Sequence, residues 1–331
     1  MKIGIAFDLK ADFEGRGKAG GPEDLLEEYD SPATVEAIAA ALRSDGHEPV
    51  LLGGGRKLLE RVLKDPPDLV FNIAEGFGSR SREAHVPSVL EMLGIPHTHS
   101  DPLTCAVTLE KAVAKRLVAA AGVPTPAFAV VQRAEEARTA GVSFPAIAKP
   151  LWEGSSKGVR RKSRVTDAVA LEALCAQLLA DYGEPVLVEA FCTGPEFTVG
   201  IIGTGAKAKA IGVMEVVPRK GPVEDFVYSL EVKRDWEVEV DYHVPPRRPA
   251  AVVAAVEKVA LDAYRALDCR DVGRVDVRLD GAGRPMFLEV NPLPGINPIT
   301  GDLCILARGS GVSYDRLIGA IVASARERWG I

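Results

Sequence analysis

The chain has 331 residues, with 40 Lys+Arg against 46 Asp+Glu and a net charge of −6. That length supports about two or three domains with a real core, which excludes a peptide hormone or an isolated binding motif. With 47% hydrophobic and 26% charged residues the composition is that of an ordinary soluble globular protein. The missing basic excess argues against nucleic acid as a partner.

Residues 2–8 (KIGIAFD) read as a buried strand, and residues 31–41 as its helix, with Ser31 as N-cap and Pro32 in the first turn. The loop between them, residues 9–30, is polar and glycine-rich. HEPVLL and PDLVFNIA read as further strands, RKLLERVLK as a helix, and Val86 to Leu93 as a helix ending at Gly94. Such alternation predicts a parallel sheet covered on both faces, with ligand loops at the strand carboxyl ends, here residues 9–30 and 75–84. The first residues, MKIGIAFDL, meet Asp8, Lys10 and Asp12 at once, and no apolar span suits a leader or a membrane helix. A cytoplasmic protein is expected.

A helix from Leu109 to Ala121 closes at Gly122, and the run from Val123 to Pro126 breaks the regularity. A small α/β module follows, with the strand FPAIAKP, a Gly/Ser loop, a helix near residues 168–180, and the strands PVLVEAF and EFTVGIIG. From about residue 205 a sheet region is expected, with a long polar insertion (residues 217–246), a helix from Ala250 to Leu267, and the paired strands GRVDVRLD and RPMFLEVN. Gly281, Ala282 and Gly283 form the turn of that pair. The five cysteines show no metal-binding spacing and read as buried free thiols.

Asp276 and Glu289 lie on the paired strands, and Asn291 shares the face of Glu289 because strand side chains alternate with period two. Three hard oxygen donors with room for phosphate suit Mg²⁺ held jointly with a nucleotide; solvated acids on an outward face would have the same spacing. Lys149 ends FPAIAKP, and the loop Glu153, Gly154, Ser155, Ser156, Lys157, Gly158 follows directly. Such a loop can offer backbone N–H groups and hydroxyls to phosphate, although Walker A spacing is absent and a plain turn would look the same.

Lys111, Lys149 with EGSS, LVEAF, GPEFTVGIIG, GRVDVRLD and LEVNPLPG occur in the order and spacing of the ATP-grasp superfamily. Within it the chain resembles the D-alanine–D-alanine ligase family. The resemblance implies an α/β chain, α+β in its C-terminal part, with three domains: a parallel α/β domain (1–100), a small ATP-grasp domain (101–192) and a catalytic domain (193–331). The last carries the metal site and a mobile loop (217–246). It also implies ATP between two antiparallel sheets, with Mg²⁺ or Mn²⁺, and ligation of small amino-acid substrates through an acyl phosphate. Neither nucleic acid nor membrane is expected, and a homodimer is compatible with the resemblance. A catalytically silent nucleotide-binding module is the competing reading.

Carried over residue by residue, Lys111, Lys149, Ser155 and Ser156 contact phosphates and nucleotide, Glu189 marks the adenine hinge, and Glu196 matches the ribose-binding acid. Asp276, Glu289 and Asn291 match the metal ligands. Arg274 matches the transition-state arginine and acts with the backbone N–H of Gly295, while Lys233 sits at the lysine of the closing loop.

The N-terminal half departs from the family. Aligning Ser31 and Thr34 with the family serines places Glu27 at the ammonium-binding acid, with Glu28 or Asp30 as alternatives. Glu75 replaces a usual histidine, with Arg80 and Arg82 nearby, and Arg234 replaces a usual tyrosine. Thr300 stands at the serine that binds the second carboxylate. An extra cation at Arg234 suggests a substrate with an additional carboxylate; an exposed, uninvolved arginine is the alternative.

Overall fold

Strand β1 (Lys2–Phe7) lies between β2 (Glu48–Gly53) and β3 (Leu69–Ile73), parallel to both, in the computed structural model, which describes residues 1–15 and 21–331. Alternation along β1 decides what covers each face. Ile3, Ile5 and Phe7 meet the helices Pro32–Ser44 and Tyr314–Trp329, while Ala6 meets Leu58 and Val62 of Gly55–Lys64 and Leu90 of His85–Met92. The expected doubly covered parallel sheet is present. Ser31 caps Pro32–Ser44 as expected, its hydroxyl accepting from Thr34 N–H at 3.3 Å. Part of the long N-terminal loop, residues 16–20, lies outside the described residues.

Two antiparallel sheets make up the remainder. Strands β4 (Phe128–Val131), β5 (Ala146–Pro150), β6 (Arg164–Val165) and β7 (Val186–Ala190) are ordered β4-β7-β5-β6, backed by helix Ala168–Tyr182. Strands β8 (Glu196–Ile202), β9 (Lys209–Pro218), β10 (Val240–His243), β11 (Val272–Leu279) and β12 (Pro285–Asn291) are ordered β10-β9-β8-β11-β12, backed by Ala250–Ala266 and Lys111–Ala120. All five cysteines are buried and free. Among the described residues no helix is long and apolar enough to cross a membrane.

The helix expected over residues 109–121 is present as Lys111–Ala120, and two features go beyond the expectations. A further helix, Pro102–Leu109, precedes it, set apart because Glu110 leaves the helical region and its carboxylate caps Val113 N–H at 3.0 Å. Asp101 followed by Pro102 starts the earlier helix by the same cap-and-proline logic seen at Ser31. The segment 217–246 is not simply a polar insertion: β9 runs to Pro218, and β10 pairs back onto it. Between them Val232 buries against Val216 and Val240, with Phe226, Tyr228, Trp236 and Tyr242 packed around. Aromatic residues scattered among charges thus build a small core of their own.

Candidate active site

Register on the five-stranded sheet brings four polar residues to one corner. Asp276 pairs directly with Glu289 across β11 and β12, and Arg274 pairs with Asn291. The Arg274 guanidinium donates to Asp276 (Nη2 to Oδ2 2.9 Å) and to Asp302 (Nη1 to Oδ2 3.1 Å). Thr198 on β8 donates to the other Asp276 oxygen at 2.9 Å, and Asn291 Nδ2 lies 3.4 Å from Asp276 Oδ2. Burial pushes the Asp276 carboxyl up, opposed mainly by Arg274. Burial also raises Glu289, but the charges of Lys111, Lys149 and Arg274 outweigh it and hold the group below the usual carboxylate range. A pair of carboxylates and an amide on adjacent strands form an all-oxygen donor set of the kind hard divalent cations prefer.

Between the two antiparallel sheets runs a cleft of about 950 Å³, walled by Ile147, Lys149 and Phe191 on one side and Glu196, Asp276, Leu288 and Glu289 on the other. A second cleft of about 1170 Å³ opens toward the parallel domain, lined by Tyr29, Asp30, Glu75, Glu83, Gly295 and Thr300 among others. The two share Lys111, Gly154, Ser155, Lys233, Arg274, Glu289 and Asp302. Sequence reasoning picked all of these except Asp302. That residue receives both Arg274 and the Tyr228 hydroxyl (3.3 Å), joining the segment over the cleft to the arginine. No pattern in the sequence signals that pairing.

Glu189 is 2% exposed in side-chain terms and bridges two lysines: Lys115 Nζ at 2.5 Å and Lys149 Nζ at 2.8 Å. Burial alone would raise its carboxyl, but the two ammonium charges dominate and hold it at about 2. Lys149 is thereby fixed with its charge retained at the cleft wall. Glu196 contacts Arg278 at 3.3 Å, and that buried guanidinium lies 4.4 Å from the Phe191 ring centroid. Lys115 and Arg278 were not among the sequence candidates.

Ser155 and Ser156 both hold positive φ, 51° and 59°, a conformation costly for non-glycine residues that turns successive N–H groups the same way. Ser156 Oγ donates to the Tyr228 carbonyl at 3.3 Å, so the Gly/Ser loop and the segment above it already touch. Lys233 lies where the clefts meet, and burial lowers its ammonium below the usual range.

The N-terminal candidates divide. Glu28 is locked between Arg82 (2.8 Å) and Lys157 (2.8 Å), and Arg82 and Lys157 also contact Glu153. Burial opposes ionisation of Glu28, but these cations prevail and keep it low. Glu27 is held by Arg234 at 2.5 Å, and Arg234 also reaches Glu23 at 3.2 Å. Arg234 therefore lines neither cleft and is already neutralised, which corrects the expectation that it offers a free cation to a substrate carboxylate. Thr300 and Gly295 do line the second cleft. Asn297 donates to Thr34 at 3.0 Å, tying the loop after β12 to helix Pro32–Ser44.

The family model described as D-ala D-ala ligase C-terminus matches residues 117–323. An uncharacterised protein of Sinorhizobium fredii is 32% identical over 306 residues, covering 89% of this chain and 88% of that one. A D-alanine–D-alanine ligase of Bordetella petrii is 33% identical over 292 residues, covering 88% of this chain and 86% of that one. The crystal structure of a D-alanine–D-alanine ligase from Bacillus anthracis complexed with ATP superposes with a TM-score of 0.72 at 21% identity, covering 100% of this chain and 99% of that one.

Proposed function

The chain belongs to the D-alanine–D-alanine ligase family, and from that premise we propose an ATP-dependent ligase that joins the carboxylate of one amino acid to the amine of another. The observation that carries this reading is the meeting of two clefts at Lys111, Ser155, Lys233 and Arg274. One cleft suits a nucleotide; the other suits a polar substrate whose carboxylate must reach its terminal phosphate.

In this reading the domains are 1–100, 101–192 and 193–331, and ATP lies between the second and third. Ile147, Phe191 and Leu288 line the base end, beside the hinge at Glu189, and Glu196 takes the ribose. Lys111, Lys149, Ser155 and Ser156 bind phosphates, Lys149 being aimed by Glu189. Asp276, Glu289 and Asn291 would hold Mg²⁺ or Mn²⁺, which when bound neutralises phosphate charge and polarises the transferred group. Their convergence across paired strands supports the assignment.

The first amino acid presents its carboxylate at the join, where it takes the terminal phosphoryl group and becomes an acyl phosphate. The amine of the second then attacks, and Arg274 with the N–H of Gly295 stabilises the oxyanion that develops. A preorganised donor of this type contributes about 3 kcal/mol. Thr300 contributes to holding the second carboxylate. Residues 226–234, fixed through Tyr228 and Ser156, exclude water that would hydrolyse the acyl phosphate.

The test is release of ADP and phosphate across a panel of D- and L-amino acids. Release that depends on an amino acid is expected. ATP binding without such release would identify a silent nucleotide-binding module and overturn the ligase reading.

A further inference from the structure

The charges that distinguish the N-terminal half do not balance. Arg82 is 3% exposed and is bound to Glu28 and Glu153, while Arg234 is bound to Glu27 and Glu23. Both arginines are consumed by the protein. Glu75 and Glu83, by contrast, line the second cleft and have no hydrogen bond or ion pair among the described residues. Glu83 is only 8% exposed. A buried carboxylate without a partner is strongly disfavoured and takes up a proton, which a cation bound beside it would displace.

The position of Glu75 is fixed by backbone. Gly76 has φ +70° and its N–H donates to Asp8 at 2.8 Å; a Cβ there would come within 2.4 Å of the Arg82 carbonyl. The 75–83 loop is thus folded on itself, bringing Glu75 and Glu83 near one another. Burial drives Glu75 well above the carboxylate range, with Glu83 and Glu28 adding repulsion that Arg82 only partly offsets, and burial pushes Glu83 up to about 7 against the more distant charges of Arg82 and Lys111.

The cleft's own cations, Lys111, Lys233 and Arg274, all sit at its join with the nucleotide cleft, where phosphate would use them. Asp30, the remaining acid here, already interacts with Thr34.

Resting on the ligase reading, we infer that the amino-acid subsite on the parallel-domain side takes a substrate with a second ammonium group, a diamino acid, held by Glu75 and Glu83. This reverses the sign that the arginines in the sequence suggest. An acidic side chain would meet two acids and no free cation there; alanine would bring no charge to ionise them.

The experiment is calorimetric binding of lysine, ornithine, alanine and glutamate, in both stereochemical forms, to the full chain loaded with Mg²⁺ and a non-hydrolysable ATP analogue. The same panel is then run for ADP release. A diamino acid should bind about tenfold or more tighter than alanine, and the preference should shrink to about threefold in Glu83→Gln or Glu75→Gln. Alanine or glutamate binding as tightly as the best diamino acid overturns the inference, even where ADP release upholds the ligase. A diamino-acid preference in binding without any ADP release upholds the subsite and overturns the ligase. Should Glu83→Gln fail to fold, Glu75→Gln and the wild-type preference still decide.

Discussion

Arg274 has two acid partners, Asp276 and Asp302, and fork geometry rather than charge alone satisfies both. Arg274→Lys keeps the charge and loses the fork. We expect kcat to fall ~100-fold while ATP affinity changes less than about threefold; a collapse of nucleotide affinity with normal turnover at saturating ATP would contradict the assignment. His99 offers a second test at this scale. Burial lowers it from 6.5 to about 3, and it sits at φ 68°, where asparagine is tolerated. Because the unfolded chain binds that proton near 6.5 and the folded chain does not until about 3, stability from this group is full above 6.5 and lost as pH falls below it. Between pH 7 and 5 the wild type should lose about 2 kcal/mol relative to His99→Asn. Equal losses in urea titrations of the two proteins would refute it. The corner of Arg274, Asp276, Glu289 and Asn291 was legible in the sequence because period-two alternation groups Arg274 with Asp276 and Glu289 with Asn291, and the family resemblance implied that the two pairs meet. The pairing of Glu28 with Arg82 and Lys157 was not, since it joins three separate segments and a sequence shows charges without their partners.

Among elements, the bridge through Glu189 ties β7 to β5 and to helix Lys111–Ala120. Removing one member of a buried ionic group leaves the others uncompensated, so Glu189→Ala should cost about 3–5 kcal/mol. A loss under about 1 kcal/mol by chemical denaturation would mean the lysines find other partners. The strands on either side of this bridge were readable from continuous apolar runs, AIAKP and VLVEA. The break at Glu110 was not, because the apolar spacing continues across it and only the capping of Val113 ends one helix and begins the next. That break has a consequence for function. It lets Lys111 start a helix with its N–H on the Leu151 carbonyl (3.3 Å) and its Nζ on the Glu153 carbonyl (2.5 Å), at the join of the clefts. Strand β10 escaped notice for the opposite reason. Its apolar residues are too few for a pattern and acquire meaning only when Val216, Val232 and Val240 meet.

Across the whole molecule, the segments over the active site are fastened to one another by charge as well as by the small apolar core around Val232. Arg164 reaches Asp225 at 2.7 Å, Arg161 reaches Glu239 at 2.9 Å, and Arg160 reaches Asp24 at 3.1 Å. The basic run 160–164 of the small module therefore grips both the N-terminal loop and the segment that follows β9. Asp24 is the anchor of this interlock. It is fully buried, accepts from the Gly158 N–H at 3.0 Å and from the Tyr182 hydroxyl at 2.7 Å, and pairs with Arg160. Gly158 closes the Gly/Ser loop that carries Ser155 and Ser156, so the charge on Asp24 fixes a phosphate-side loop from the far side of the cleft. Asp24→Asn keeps the shape but weakens three charge-assisted bonds and gives Tyr182 a poorer acceptor. Such bonds contribute about 1.5–3 kcal/mol each where buried, so KM for the amino acids should rise ~10-fold, with kcat at saturation changing less. Faster hydrogen exchange is expected at Gly158 and across residues 21–30, since both sides of the interlock are released together. Exchange that quickens on one side alone, or wild-type KM with wild-type protection, would show that the three modules are held closed by something other than Asp24.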